Sequence, residues 1–192
     1  MVQSLHDLVQ KCRSYRRFNE KRLIVREELT SLVALARLAP SARNGQPLRF
    51  ILSCEQTMNE RIFPLLAWAG YLKEWDGPEP GERPAAYIVV VSREQTLGGH
   101  LLFDAGLAVQ SILLGAVEKG LGGCIIGAYS KEKLKDAIQI PAGYEPLYVI
   151  ALGEPSEEVM IESLKDGDIK YWRDENSVHH VPKRDVSELI LY

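Results

Sequence analysis

Cysteine is scarce. The 192-residue chain has three, Cys12, Cys54 and Cys124, and no Cys-x-x-Cys pair, which excludes a zinc ribbon or thioredoxin-like dithiol written into the sequence. An odd number of scattered thiols fits a reducing compartment better than a disulfide framework. Basic surplus is also lacking: 23 Lys and Arg stand against 26 Asp and Glu, a formal net charge of −3. Nucleic-acid binders neutralise phosphates with an excess of cations, so a nucleic-acid partner is not expected. The opening MVQSLHDLVQKCRS has no charged start followed by an apolar run, so no signal peptide is expected and the cytoplasm is the expected compartment. The longest apolar stretch, 101–117, is interrupted by Asp104 and Gln110 and falls short of the roughly 20 residues that cross a bilayer, so no membrane contact is expected.

Catalytic fingerprints are missing too. No GxGxxG follows the first strand, and there is no P-loop, GxSxG or HExxH, so dinucleotide-fold, triphosphatase, serine-hydrolase and zincin chemistry find no support. Cys124 has no His and Asn pattern around it and reads as a small core residue. His179 and His180 are adjacent. Neighbours on an extended chain point to opposite sides, so they are not expected to share a metal, and each is expected to be satisfied at a surface or an interface.

What is present is an ordinary globular composition, 46% hydrophobic and 26% charged, long enough for one domain spanning 1–192. Apolar spacing predicts helices over 4–12, 26–38 and 57–67, and a short one capped by Ser130 through Ile138. Strands are predicted at 49–54, 86–92, 122–128 and 147–152. The run AYIVVVS at 86–92 has no polar alternation and belongs in the middle of a sheet. Residues 70–84, rich in Gly and Pro, read as a long loop, and the tail after Gly153-Glu154-Pro155 reads as polar, with apolar punctuation at Tyr171, Trp172 and Leu189–Tyr192. The helix over 101–119 is apolar nearly all round, with Ala105, Gly106, Ala108, Gly115 and Ala116 permitting close approach. It is either the central helix of a monomer or a dimer interface, and Ala108 and Leu113 are candidate partner-facing positions. Helices with interspersed strands indicate an α+β or three-layer fold.

Three segments have groups suited to a phosphate and a flat heterocycle. Arg13-Ser14-Tyr15-Arg16-Arg17 offers guanidinium forks, which match phosphate bidentately, or is a solvated basic turn. Pro40-Ser41-Ala42-Arg43-Asn44-Gly45-Gln46-Pro47 offers amides and a hydroxyl to a ring edge, or is a capped turn. Gly122-Gly123 before Cys124-Ile125-Ile126-Gly127 lets backbone approach a planar ligand, or packs strands tightly.

In this order and spacing, RSYRRF at 13–18, PSARNGQP at 40–47, DAGLAVQSILLGAVEKGLGGCIIG at 104–127 and VPKR at 181–184 resemble the nitroreductase family over nearly the whole chain. The resemblance implies a three-layer α/β/α sandwich of the α+β class around a mainly antiparallel sheet. It also implies an intertwined homodimer, with residues 165–192 wrapping the partner and 68–84 forming a variable lid. FMN sits at the subunit boundary in that picture. Arg13, Ser14 and Arg16 match the motif for the phosphate, ribityl chain and pyrimidine edge, with Arg16 at the ring's N1–O2 edge. Pro40, Ser41, Ala42, Asn44 and Gln46 match the loop that reaches the ring from the other subunit. Ile126 and Gly127 match the backbone beside N5, and Lys183 and Arg184 the basic pair at the phosphate. The chain departs from the family pattern at Cys12, Leu48 and Ile126, where many members have Arg, Trp and an acidic residue. The activity implied is ping-pong transfer of reducing equivalents from NAD(P)H through FMN to a nitroaromatic, quinone or related acceptor, with no catalytic side chain and no metal. Trp68, Tyr71 and Trp75 would wall the acceptor pocket, or else pack on one another at the surface. Competing readings are reductive dehalogenation, flavin reduction or flavin fragmentation by a related FMN enzyme, and a non-catalytic flavin-binding protein.

Overall fold

The computed structural model describes residues 4–93 and 99–192. At its centre is a four-stranded sheet in the order β1-β2-β4-β3, from β1 (Leu48–Ser53), β2 (Ala86–Arg93), β3 (Gly122–Ile126) and β4 (Tyr144–Gly153). Every pairing in it is antiparallel. The uninterrupted apolar run of β2 lies in the interior of that sheet, as its composition predicts. Alternation then divides the run between two cores. Ile88 and Val90 join α2 (Arg26–Ala36) and α4 (Leu101–Glu118) through Leu29, Leu32, Ala108 and Ile112. Tyr87, Val89 and Val91 join Ile62 of α3 (Gln56–Ile62) and Leu134 of α5 (Lys131–Ala137). Helices thus cover both faces of an antiparallel sheet, the three-layer α+β sandwich.

Some boundaries move for local reasons. The expected 57–67 helix ends at Ile62 and continues only as a 3-10 turn, Phe63–Leu65, where Pro64 supplies no amide hydrogen to continue the α-helical ladder. Strand β4 begins earlier than expected, at Tyr144. It takes in Pro146 where the register with β2 shifts between Val90 and Val91, a bulge that tolerates a residue with no N–H to donate. The largest difference lies in the tail. Residues for which the sequence predicts no strand form a small sheet β5-β7-β6, from β5 (Val159–Ser163), β6 (Trp172–Arg173) and β7 (His179–Lys183). Strands of two to five residues, one pairing parallel, carry too few alternating positions to be legible.

Glycines set two close approaches. A Cβ on Gly115 would lie 2.2 Å from a methyl of Leu35, so α2 and α4 meet where α4 has no side chain. A Cβ on Gly122 would lie 2.5 Å from the Tyr15 ring, and one on Gly123 would lie 2.7 Å from the Ala151 carbonyl oxygen. Of the two roles open to this pair, the structure therefore selects tight packing within the chain.

Helix α4 has a face that none of the described residues covers. Leu101, Asp104, Ala108, Ile112, Leu113 and Ala116 are buried, whereas Leu102 and Phe103 are 59% and 65% exposed. Gly106 and Gln110 continue the exposed stripe, with Leu107 and Leu114 half-buried along it. Ala108 and Leu113 thus face their own core, not a partner. Among the described residues only α4 is long and apolar enough to cross a membrane, with a mean hydropathy of 1.6 over 18 residues, and 56% of that window is buried within the chain.

Candidate functional site

The N-terminal basic segment runs past the end of β3. Ser14 bridges to Gly123, and the Tyr15 amide donates to the Gly123 carbonyl at 3.1 Å. Its backbone is held by a buried carboxylate that sequence reasoning missed: Glu157 accepts from the amides of Arg16 and Arg17, and from the Arg173 guanidinium at 3.0 Å. Arg17 turns away into an ion pair with Glu82. Arg13 donates to the Val9 carbonyl at 2.8 Å, while its buried Nε has no partner among the described residues.

Arg16 is the buried cation of the segment, 9% exposed. Its Nη1 donates to the Ser14 carbonyl at 3.2 Å and lies 3.2 Å from His179 Nε2. The guanidinium carbon sits 4.9 Å from the centre of the Tyr171 ring. Burial, with Arg16 and Arg173 alongside, pushes the His179 pKa down to about 4, so the ring is neutral near pH 7. Arg16 can only donate, so His179 Nε2 is the acceptor and Nδ1 carries the hydrogen. That Nδ1 is buried and has no partner among the described residues, contrary to the satisfied surface or interface position expected. His180 points the other way, bonded to Glu162 at 2.8 Å and stacked on Trp172.

Arg16, Tyr171, Trp68, Gly70, Ile126 and Gly127 line a cavity of about 200 Å³. Ile126 is buried, so its backbone is what it can offer a ligand. A Cβ on Gly127 would meet nothing nearer than the Tyr148 ring, at 3.7 Å. Of the three aromatics expected to wall an acceptor pocket, Trp68 lines this cavity and Tyr71 and Trp75 do not. Trp68 and Trp75 pack edge-on, 6.4 Å between centroids, whereas Tyr71 pairs with Tyr171 at 4.9 Å.

The 40–47 loop lies elsewhere on the chain. Pro40, Ser41 and Gln46 line a separate cavity of about 400 Å³ with Val33, Phe50 and Asp104, and the two cavities share no residue. Arg43, Asn44 and Gln46 all have positive φ, 55°, 52° and 46°, a costly backbone unless its surroundings enforce it. They do: Asp104 accepts from the Ala42 amide at 2.9 Å, and Ser41 Oγ accepts from the Gln46 amide at 3.1 Å. Asp104, a carboxylate inside an otherwise apolar helix, was the available signal for this contact. Asn44 is exposed. Lys183 and Arg184 are exposed at the end of β7, with Arg184 paired to Glu188 at 3.1 Å. One chain therefore brings Arg16, Ile126 and Gly127 together, and keeps Pro40, Ser41 and Gln46 apart from them.

Residues 9–154 match the family model described as Nitroreductase family. A relative from Methanothermobacter thermautotrophicus, provisionally named an NADH dehydrogenase/NAD(P)H nitroreductase, is 29% identical over 161 residues, 81% of this chain and 80% of that protein. The iodotyrosine deiodinase of Thermotoga neapolitana is 25% identical over 171 residues, 81% of this chain and 91% of that protein. Among solved structures, a provisionally assigned nitroreductase from Exiguobacterium sibiricum in complex with FMN has a TM-score of 0.68 at 22% identity, covering 89% of this chain and 98% of that one. The antiparallel three-layer core, the placement of the motif residues around it and the family match over most of the length agree: the chain belongs to the nitroreductase family of oxidoreductases.

Proposed function

We propose that the protein is an FMN-dependent oxidoreductase that acts as a homodimer, taking reducing equivalents from NAD(P)H and passing them to a small electrophilic acceptor. The observation that carries this reading is a buried guanidinium, Arg16, lining a cavity with the Ile126–Gly127 backbone, in a chain whose structural neighbour is an FMN complex. The residues present fit that cofactor. Arg13 keeps a buried Nε that has no partner among the described residues, available to a phosphate oxygen, and Gly127 leaves space beside its backbone.

Size argues for a shared site. The Arg16 cavity, at about 200 Å³, is smaller than the roughly 300–1,000 Å³ of ordinary ligand pockets. The loop with Pro40, Ser41, Ala42, Asn44 and Gln46 opens onto a different cavity of the same chain, so a second copy supplies it. The bare stripe of α4 gives that copy an apolar surface, and Val186, Leu189, Ile190 and Leu191 are exposed beyond β7, available to wrap it.

FMN, when bound, supplies the chemistry: it accepts two electrons from the nicotinamide and yields them to the acceptor. The protein binds and orients. Arg13, Ser14, Lys183 and Arg184 hold the phosphate and ribityl chain, and Arg16 sets positive charge where a reduced ring is negative. Anaerobic addition of NADH or NADPH to FMN-loaded protein should bleach the flavin absorbance, and a quinone or nitroaromatic should restore it. A protein that stays oxidised, or that denatures to release FAD, contradicts the reading.

A second acceptor class has its own support. The Tyr71–Tyr171 pair beside Arg16 suits an aromatic phenol, and the iodotyrosine deiodinase relative acts in a family with this chain's core. Halogenated phenols therefore belong in the same acceptor screen, with halide release as the readout.

A further inference from the structure

On the far side of the sheet from α2 and α4, a cavity of about 310 Å³ lies between α3 and the start of β2. It shares no lining residue with the cavities around Arg16 and around the 40–47 loop. Its walls include Leu23, Cys54, Phe63 and Pro84, with Arg83 and the Tyr87 side chain reaching it from β2 and the segment before it.

Arg83 is unlike the arginines near it. Arg17 is paired with Glu82, Arg22 with Glu28 and Arg173 with Glu157. Arg83 has no ion pair or hydrogen bond among the described residues, and its Nε is buried without a partner. The nearby carboxylates are engaged elsewhere: Glu82 with Arg17, Glu20 with the Gly81 amide, and Glu60 with Gln56 at 2.9 Å. What fixes Arg83 is the Phe63 ring, whose centre lies 4.4 Å from the guanidinium carbon. A cation held on its flat face keeps its donor edge free for a ligand. Tyr87 makes no side-chain hydrogen bond among the described residues, and burial raises its pKa, so the hydroxyl stays protonated and is a second donor.

We propose that this cavity is a second binding site, for a small monoanionic carboxylate with an apolar body, bound by Arg83 and Tyr87 and seated against Phe63 and Leu23. Two donors without acceptors select an anion. A carboxylate matches the guanidinium fork in two parallel bonds. Glu20 and Glu60 at the wall repel a dianion more than a monoanion, which disfavours phosphate. The volume holds a body about the size of one six-membered ring, at the small end of ligand pockets.

The test is a titration of cyclohexanecarboxylate into the protein carrying its cofactor, followed by amide chemical shifts. An aliphatic ring is chosen because it has no aromatic face to stack on a flavin. The expected result is saturable shifts around Cys54, Phe63, Arg83 and Tyr87, weakened at least tenfold by Arg83→Gln and several-fold by Tyr87→Phe. The uncharged cyclohexanecarboxamide should shift these residues little, and inorganic phosphate should bind more weakly than the carboxylate. Shifts confined to the Arg16 cavity, equal shifts with the carboxamide, phosphate binding as tight, or unchanged affinity in Arg83→Gln would each overturn the proposal. The shift map of the unsubstituted protein decides the location even where a variant fails to fold.

Discussion

His179 and His180 are neighbours that titrate in opposite senses. Burial, then Arg16 and Arg173, hold the His179 pKa down to about 4, against 6.5 for the free side chain. The unfolded chain therefore takes up that proton first, and the stability tied to neutral His179 is whole above pH 6.5 and is lost as the pH falls toward 4. His180 is raised, chiefly by its bond to Glu162 with Asp174 adding to it. Its contribution is present below pH 6.5 and fades as the pH rises through its folded value. Thermal melts from pH 7.5 to 4.5 should show a shallower acid loss in His179→Gln than in the parent, and in His180→Gln a deficit largest at the acid end. Parallel curves for all three proteins would refute both assignments. For the cofactor, Arg13→Ala and Arg16→Ala should weaken FMN retention by about 1.5–3 kcal/mol, the worth of a hydrogen bond to a charged group. Arg93→Ala, outside the motifs, should leave it unchanged in an FMN titration. Arg16 was legible in the sequence because its neighbours form a recognisable string. Glu157 was not, since one glutamate in a polar tail gives no sign that it will accept two amides and a guanidinium.

Facing, rather than existence, is what the sequence withheld about α4. Its length and apolarity are plain, but with apolar residues all round, no periodicity distinguishes Ala108 and Leu113, which are buried, from Phe103, which is exposed. The exposed stripe is therefore where an introduced charge tests the interface. Phe103→Glu or Leu107→Glu should leave a folded chain that runs as a monomer by light scattering and no longer retains FMN. Ala108→Glu should instead lower the melting temperature sharply by burying an unpaired charge. A Phe103→Glu protein that remains dimeric and yellow would remove α4 from the interface. Asp104 supports the neighbouring loop, so Asp104→Ala should disorder residues 40–47 and weaken FMN binding, whereas Asp104→Asn, which retains an acceptor for the Ala42 amide, should cost less; the comparison is again an FMN titration. Long elements with one strong signal, such as β2, were legible, whereas the small sheet was not, being built from β5, β6 and β7, strands of two to five residues that carry too few alternating positions to show a period.

At the scale of the whole molecule, the residues matched to one cofactor occupy two cavities on one chain. Under the proposed dimer they come together only across the boundary, so assembly and FMN binding stabilise each other by mass action. Dilution of FMN-loaded protein should release flavin in step with the loss of dimer, followed by fluorescence and light scattering, and excess FMN should shift both transitions to lower protein concentration. A monomer that holds FMN tightly would contradict this. The Tyr71–Tyr171 contact has a consequence for anyone seeking to change what the pocket accepts. It joins the loop after Trp68 to the C-terminal sheet, through a ring pair and a hydrogen bond from the Tyr71 amide to the Tyr171 hydroxyl at 3.4 Å. Grafting that loop alone from a relative would import half a joint, so the two segments must be exchanged as one cassette.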